Sequence, residues 1–157
     1  MDKFEEHLEN NILPWLGRTS KVLDYFIADY FEERGLKLTK VQVICLFRLK
    51  RFNGVTQNNL ADITNRDKAS LTRLLTTMEK KNLVARIPCK TDKRINEIHI
   101  TKNGEEVLKR VFPILKEVMK EVQKGISSSE IKTVINVLKK VNKNINSEQF
   151  VAPLTNS

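Results

Sequence analysis

The chain has 157 residues, 40% of them apolar and 30% charged, with only five Gly and four Pro. That length and apolar share fit one compact domain with a usable core and exclude a disordered, collagenous or disulfide-built chain. The scarcity of Gly and Pro beside repeated Leu, Ile, Val and Lys favours a mainly α protein with a small β element over a sheet sandwich, and the formal net charge of +9 points to an anionic partner.

From Phe4 to Glu33, Leu8, Ile12, Leu16, Leu23, Phe26, Ile27, Tyr30 and Phe31 recur at helical spacing. Pro14 predicts a break or a start within this stretch, and Arg34-Gly35 reads as its stop. Asp2, Glu5, Glu6 and Glu9 stand where a secretory signal needs positive charge, and no apolar run reaches the roughly 18 to 20 residues of a membrane span. A cytoplasmic protein with no membrane association is expected. Thr39-Lys-Val-Gln42 has the form of a capping box, opening a helix with Val43, Ile44, Leu46, Phe47 and Leu49 inside and ending near Asn53-Gly54.

Thr56 is placed to cap a short helix containing Leu60, Ala61 and Ile63. Thr64-Asn65-Arg66 then turns the chain, and Asp67 opens another helix that runs to about Asn82. Two short helices joined by a tight turn form a helix-turn-helix. In the second, Leu71, Leu74, Leu75 and Met78 share one face, which leaves Lys68, Ser70, Thr72, Arg73 and Thr76 on the other face or its flanks. Leu83-Val84-Ala85-Arg86-Ile87 and the alternating Asn96-Glu97-Ile98-His99-Ile100 then predict a β-hairpin whose basic tip spans Pro88 to Lys93. A hairpin directly after a helix-turn-helix is a wing, able to reach the minor groove of DNA while the helix occupies the major groove.

Thr101 caps a long helix with Val107, Val111, Ile114, Leu115, Val118 and Val122, interrupted by Pro113, which should kink it. Ser127-Ser-Ser-Glu130 is a second capping box, opening a last helix with Ile131, Val134, Ile135, Leu138, Val141 and Ile145, before a frayed tail from Glu148. These helices exceed what a minimal winged helix needs, so with the first helix they are assigned to a dimer interface, intramolecular packing onto the core being the alternative. The resulting division is a DNA-binding lobe over 38–101 and a helical dimerisation lobe over 4–34 and 102–146, within a single domain of residues 1–157. Between Arg66 and Arg94 stand nine Lys or Arg against three acids, so much of the excess charge sits on the helix-turn-helix and wing. Such clustering suits a polyanion, although a solvated basic face is the plainer explanation of it.

Leu38-Thr39-x-x-Gln42, Thr56-Gln57-x-x-Leu60-Ala61, Asp67-Lys68-Ala69-Ser70-Leu71-Thr72-Arg73-Leu74-Leu75 and Met78-Glu79-Lys80-Lys81-Asn82-Leu83-Val84-x-Arg86, followed by Asp92-Lys93-Arg94 and Ile100-Thr101-Lys102-x-Gly104, resemble the multiple-antibiotic-resistance-regulator (MarR) family. That resemblance implies a winged-helix transcription factor, usually a repressor, that binds double-stranded DNA as a homodimer and releases it when a small, often aromatic, effector binds. It also implies that Ser70, Thr72 and Arg73 face the major groove, that Arg94 enters the minor groove, and that Asp92 holds Arg94 by a salt bridge. Lys68, Lys90 and Lys93 suit phosphates, which position a protein on DNA without specifying sequence. Asn82 stands where the family more often has the Gly that ends the recognition helix, and Asn is the next best residue for a left-handed cap.

Competing functions have less support. No nucleophile with a base, carboxylate pair or Gly-rich phosphate loop occurs at recognisable spacing, so an enzyme is not expected, and with only His7 and His99 neither is a metal cofactor. Cys45 reads as inert core. Cys89, beside Lys90, offers a redox-responsive alternative, since a nearby cation can activate a thiol. A third reading is a winged helix that binds an acidic protein without sequence-specific DNA contacts. Trp15, Tyr25, Phe26 and Tyr30 are candidates for lining an effector pocket, although aromatic residues at helical spacing are more often core.

Overall fold

The computed structural model describes residues 8–64 and 66–145. The expected helix start at Phe4, His7, the Asn65 turn position and the tail from Glu148 lie outside them. The described residues fall into two compact units, one up to Val41 and one from Gln42 onward.

In the first unit, helix α1 (Ile12–Glu33) is capped by Asn11, whose side chain accepts the Leu13 N–H at 2.9 Å. The break is therefore at Asn11 and not at Pro14. Pro14 falls in the first turn, where its missing N–H costs nothing. The helix ends at Arg34, and Gly35 takes a positive φ of 67° that lets Leu36 N–H reach back to the Phe31 carbonyl at 2.9 Å. Helix α2 (Lys40–Arg51) begins directly after Thr39, as its sequence predicts, and carries the chain into the second unit.

The second unit continues with β1 (Val55–Thr56), α3 (Gln57–Thr64), α4 (Lys68–Lys80), β2 (Val84–Pro88), β3 (Asn96–Ile100), α5 (Lys102–Val122) and α6 (Ser128–Asn144). The sequence predicts a two-stranded hairpin; the sheet has three antiparallel strands in the order β1-β3-β2. Val55 pairs with Ile98, and Arg86 pairs with Ile98 from the other side. A two-residue strand has no periodicity to read, which is why β1 is invisible in the sequence. His99, on an alternating strand, is expected to face solvent, but it is half-buried with its ring over Gly54 and its Nε2 3.2 Å from Glu97 Oε2. Gly54 has φ 77°, and a Cβ there would come within 2.9 Å of the His99 ring.

Leu46, Leu49, Leu60, Leu71, Leu75, Met78, Ile98 and Val111 are fully buried in this unit, and Cys45 lies among them. Burial pushes the Cys45 thiol up to about 12, so it stays protonated and unreactive near neutral pH. Helix α5 is tied to its neighbours at both ends of its first turn. Lys50, at the end of α2, pairs with Glu105 and holds that carboxyl below its ordinary range. Thr101 caps the helix by accepting the Gly104 N–H at 3.0 Å while donating its own hydroxyl to the Asn82 carbonyl at 2.6 Å. The helix runs unbroken across Pro113. Helix α6 opens with the predicted capping box, Ser127 and Glu130 bonding reciprocally.

Gly104 is where backbone meets backbone: a Cβ there would lie 2.2 Å from the Leu83 carbonyl oxygen and 2.8 Å from Ile100 Cγ1. Gly104→Ala should therefore destabilise the chain by about 1 to 3 kcal/mol in urea unfolding, despite the gain of up to about 1 kcal/mol that alanine brings to an exposed helix. An unchanged or raised midpoint would show that α5 can move away at no cost. Asp67 caps α4 by accepting the Ser70 N–H at 2.8 Å, which holds its carboxyl below the ordinary 3.8. A lowered folded-state pKa means that this stabilisation is complete above the unfolded value and lost as pH falls through the folded one. The thermal-midpoint advantage of the wild type over Asp67→Asn should accordingly shrink between about pH 6 and about pH 3.

Candidate nucleic-acid interface

Helices α3 and α4 pack on each other, and α4 turns its apolar stripe inward: Leu71, Leu75 and Met78 are buried and Leu74 is half-buried. The opposite face is polar. Lys68, Thr72 and Arg73 are exposed, and Ser70 is half-buried next to the cap. The helix ends at Lys81, and Asn82 takes the left-handed conformation expected of it, with φ 53°.

The pose of α4 is set by its links to the wing and to the next helix. Arg86, on β2, donates from Nη1 to Glu79 Oε2 at 2.6 Å and from Nη2 to the Thr72 carbonyl at 3.1 Å, while its backbone N–H reaches Glu79 Oε1 at 3.3 Å. Both side chains are largely out of water, Arg86 being 22% and Glu79 31% exposed. The Arg86 Nε is buried without a hydrogen-bond partner among the described residues. On the other side Gln57, at the start of α3, donates from Nε2 to the Thr72 hydroxyl at 2.7 Å. Lys81 Nζ donates to the buried Gln42 side chain at 3.2 Å. Glu79, Arg86 and Gln57 stand within the sequence motifs, but no role for them is legible there. Their charge and spacing were visible, but their partners lie on other elements.

The wing tip is a tight turn. The Ile95 N–H donates to the Asp92 carbonyl at 3.0 Å, and the Cys89 N–H donates to the Ile95 carbonyl at 2.8 Å. The salt bridge implied between Asp92 and Arg94 does not form. The Asp92 carboxylate instead accepts the Arg94 backbone N–H at 2.9 Å, the self-bonding geometry that makes aspartate a turn residue. This frees the Arg94 guanidinium, which is not ion-paired with any described residue. The same holds for Lys68, Arg73, Lys90 and Lys93, all exposed. Five cations therefore stand unneutralised on the outer side of α4 and the hairpin tip, while the inner cation, Arg86, is consumed by structure. Cys89 is half-buried, its sulfur 3.2 Å from Thr91 Oγ1.

The four aromatic candidates in α1 are not brought together around a cavity. Trp15 is 57% and Tyr25 62% exposed; Phe26 and Tyr30 are half-buried, with ring centroids 5.4 Å apart, and the Arg34 guanidinium sits 3.5 Å over Tyr30. The first unit does contain a cleft of about 570 Å³, lined by Asp24, Ala28, Glu32 and residues 35–41, but none of the four lines it. Asp24, Ala28 and Glu32 repeat at four-residue spacing and so share a helix face that Trp15, Phe26 and Tyr30 do not occupy. Asp24 is paired there with Lys40.

Residues 38–95, which contain α2 to α4, β1, β2 and the hairpin tip but not β3, match the MarR family model. The uncharacterized HTH-type transcriptional regulator YybA of Bacillus subtilis (strain 168) is 29% identical over 140 residues, covering 87% of this chain and 89% of that protein. Among solved structures, a MarR-family transcriptional regulator from Listeria monocytogenes complexed with 26mer DNA is 27% identical with a TM-score of 0.73, covering 88% of this chain and 91% of that one. A mutant MarR from E. coli complexed with operator DNA is 26% identical with a TM-score of 0.75, covering 90% of this chain and 99% of that one. The matched motifs, the winged helix-turn-helix built from them and the agreement over nearly the whole chain lead to one conclusion: residues 38–95 match the MarR family, and over most of its length the chain is similar to transcriptional regulators of that family.

Proposed function

We propose that the chain is a cytoplasmic, homodimeric repressor that inserts α4 into the major groove of double-stranded DNA and lays its wing tip along the adjacent minor groove. The observation that carries this reading is the division of α4 into a locked apolar face and an unneutralised polar one, continued by the free cations of the hairpin tip. In this arrangement Arg73, with Ser70 and Thr72, addresses base edges. Arg94 follows the negative potential of a narrow minor groove, with Asp92 shaping the turn that presents it. Lys68, Lys90 and Lys93 contact phosphates, releasing counterions and supplying affinity common to all sequences. That the Listeria monocytogenes and E. coli relatives are solved in complex with DNA supports DNA as the partner.

The helices outside the winged helix support dimerisation. Helix α6 has no buried residue, and Val134 and Ile135 are 55% and 45% exposed; on α5, Phe112, Met119 and Val122 are exposed too. A 17-residue amphipathic helix gains little stability in water unless its apolar face is covered. A two-fold partner offering the same face would cover it. For a small-molecule effector, the cleft beside Asp24 and Glu32 offers room that the α1 aromatic residues do not.

The deciding experiment is fluorescence anisotropy with duplex DNA from upstream of the chain's own gene against a scrambled duplex, over a salt series. Specific binding is expected, weakened by about 1 to 3 kcal/mol in Arg73→Ala and in Arg94→Ala, while Lys68→Ala lowers affinity for both duplexes alike and flattens the salt slope. Equal, steeply salt-dependent binding to both duplexes would leave only a basic surface. Sedimentation velocity should find a dimer whose Val134→Glu variant shifts toward monomer; an unchanged sedimentation coefficient would remove α6 from the interface.

A further inference from the structure

Thr72 occupies the middle of the proposed reading face, yet its polar groups are already committed inside the protein. Its hydroxyl donates to the Lys68 carbonyl at 2.7 Å and accepts from Gln57 Nε2 at 2.7 Å. Its carbonyl accepts from the Thr76 hydroxyl at 2.9 Å and from Arg86 Nη2 at 3.1 Å. A threonine hydroxyl has one proton to donate, and here that proton is used; one of its two lone pairs is taken as well. The residue is nevertheless exposed. What it has left to offer a ligand is chiefly its methyl group.

In the major groove one base presents a methyl group of its own, the C5-methyl of thymine, and apolar contact with it distinguishes thymine from the other bases. Donating to a base edge would require Thr72 to give up its bond to Lys68, and its one remaining lone pair can only accept, whereas methyl contact requires nothing to be broken. We infer that Thr72 is a specificity-determining residue that reads a thymine C5-methyl, its hydroxyl being held by Lys68 and Gln57 as part of the protein's own structure. This rests on the DNA-binding reading above and assigns a particular chemistry to one of its residues.

The test replaces thymine by uracil, which differs only in lacking that methyl. An operator is first selected from random duplexes with the wild-type protein, and each dT in one half-site is then changed singly to dU. At one position the change should lower wild-type affinity roughly three- to fivefold, the factor that burial of one methyl group supplies. Thr72→Val keeps the methyl and loses the hydroxyl, so it should keep that penalty. Thr72→Ser keeps the hydroxyl and loses the methyl, so the penalty should vanish at that position and persist elsewhere. If an operator is selected but Thr72→Ser retains every penalty, or Thr72→Val alone abolishes one, the methyl assignment is overturned while DNA binding stands. If no sequence is enriched over random duplexes, both fall together.

Discussion

One guanidinium orients everything on the outer surface of the winged helix. Arg86 reaches from β2 across to α4, where it holds Glu79 and the Thr72 carbonyl together, so the wing strand and the recognition helix share a single charged joint. Partial removal from water makes such hydrogen bonds worth more than a surface ion pair and also makes the loss of either partner more costly. The guanidinium Nε is buried without a hydrogen-bond partner among the described residues. Because the joint bonds to backbone as well as side chain, it fixes where α4 lies along its axis and not only which way its face turns.

Around that joint, charge is sorted by role. Half-buried Arg86 bonds Glu79, and exposed Lys50 and Lys81 bond Glu105 and Gln42, so that all three join secondary-structure elements. Lys68, Arg73, Lys90, Lys93 and Arg94, all exposed, form no ion pair among the described residues, although, after the Ser70 N–H, Arg73 helps to lower the Asp67 pKa. A merely solvated basic face would be expected to mix signs, as surfaces usually do. Here the one acid at the hairpin tip, Asp92, is turned onto its own backbone and does not neutralise Arg94. The result is a set of exposed cations without ion pairs on α4 and the hairpin tip, which suits the proposed polyanionic partner.

The apolar surface is sorted in a similar way. The helix-turn-helix and sheet bury most of their stripes, whereas α6 buries none of its residues. Both patterns look alike in sequence, since each is an apolar repeat at helical spacing. Periodicity tells which residues share a face, but not what covers it.

Much of the fold was legible in the residues because its signals are local. Caps at Asp67, Thr101 and Ser127, left-handed positions at Gly35, Gly54 and Asn82, and the stripes of α4 and α5 depend on neighbours within about one helical turn. The order of these signals was specific enough to resemble one family. What tertiary structure decided involves residues far apart in sequence. Strand β1 exists only because β3 lies beside it, and His99 is half-buried only because Gly54 makes room. Pro14 is harmless because Asn11 caps the helix three residues earlier. Arg94 is without an ion pair among the described residues because Asp92 bonds a main-chain N–H, and the Thr72 hydroxyl is engaged because Gln57, 15 residues away, donates to it. Sequence by itself determined which side chains are available and which face of a helix carries them. Only the folded chain decided which of their polar groups were already satisfied, because hydrogen-bond partners are assigned in space and not along the chain.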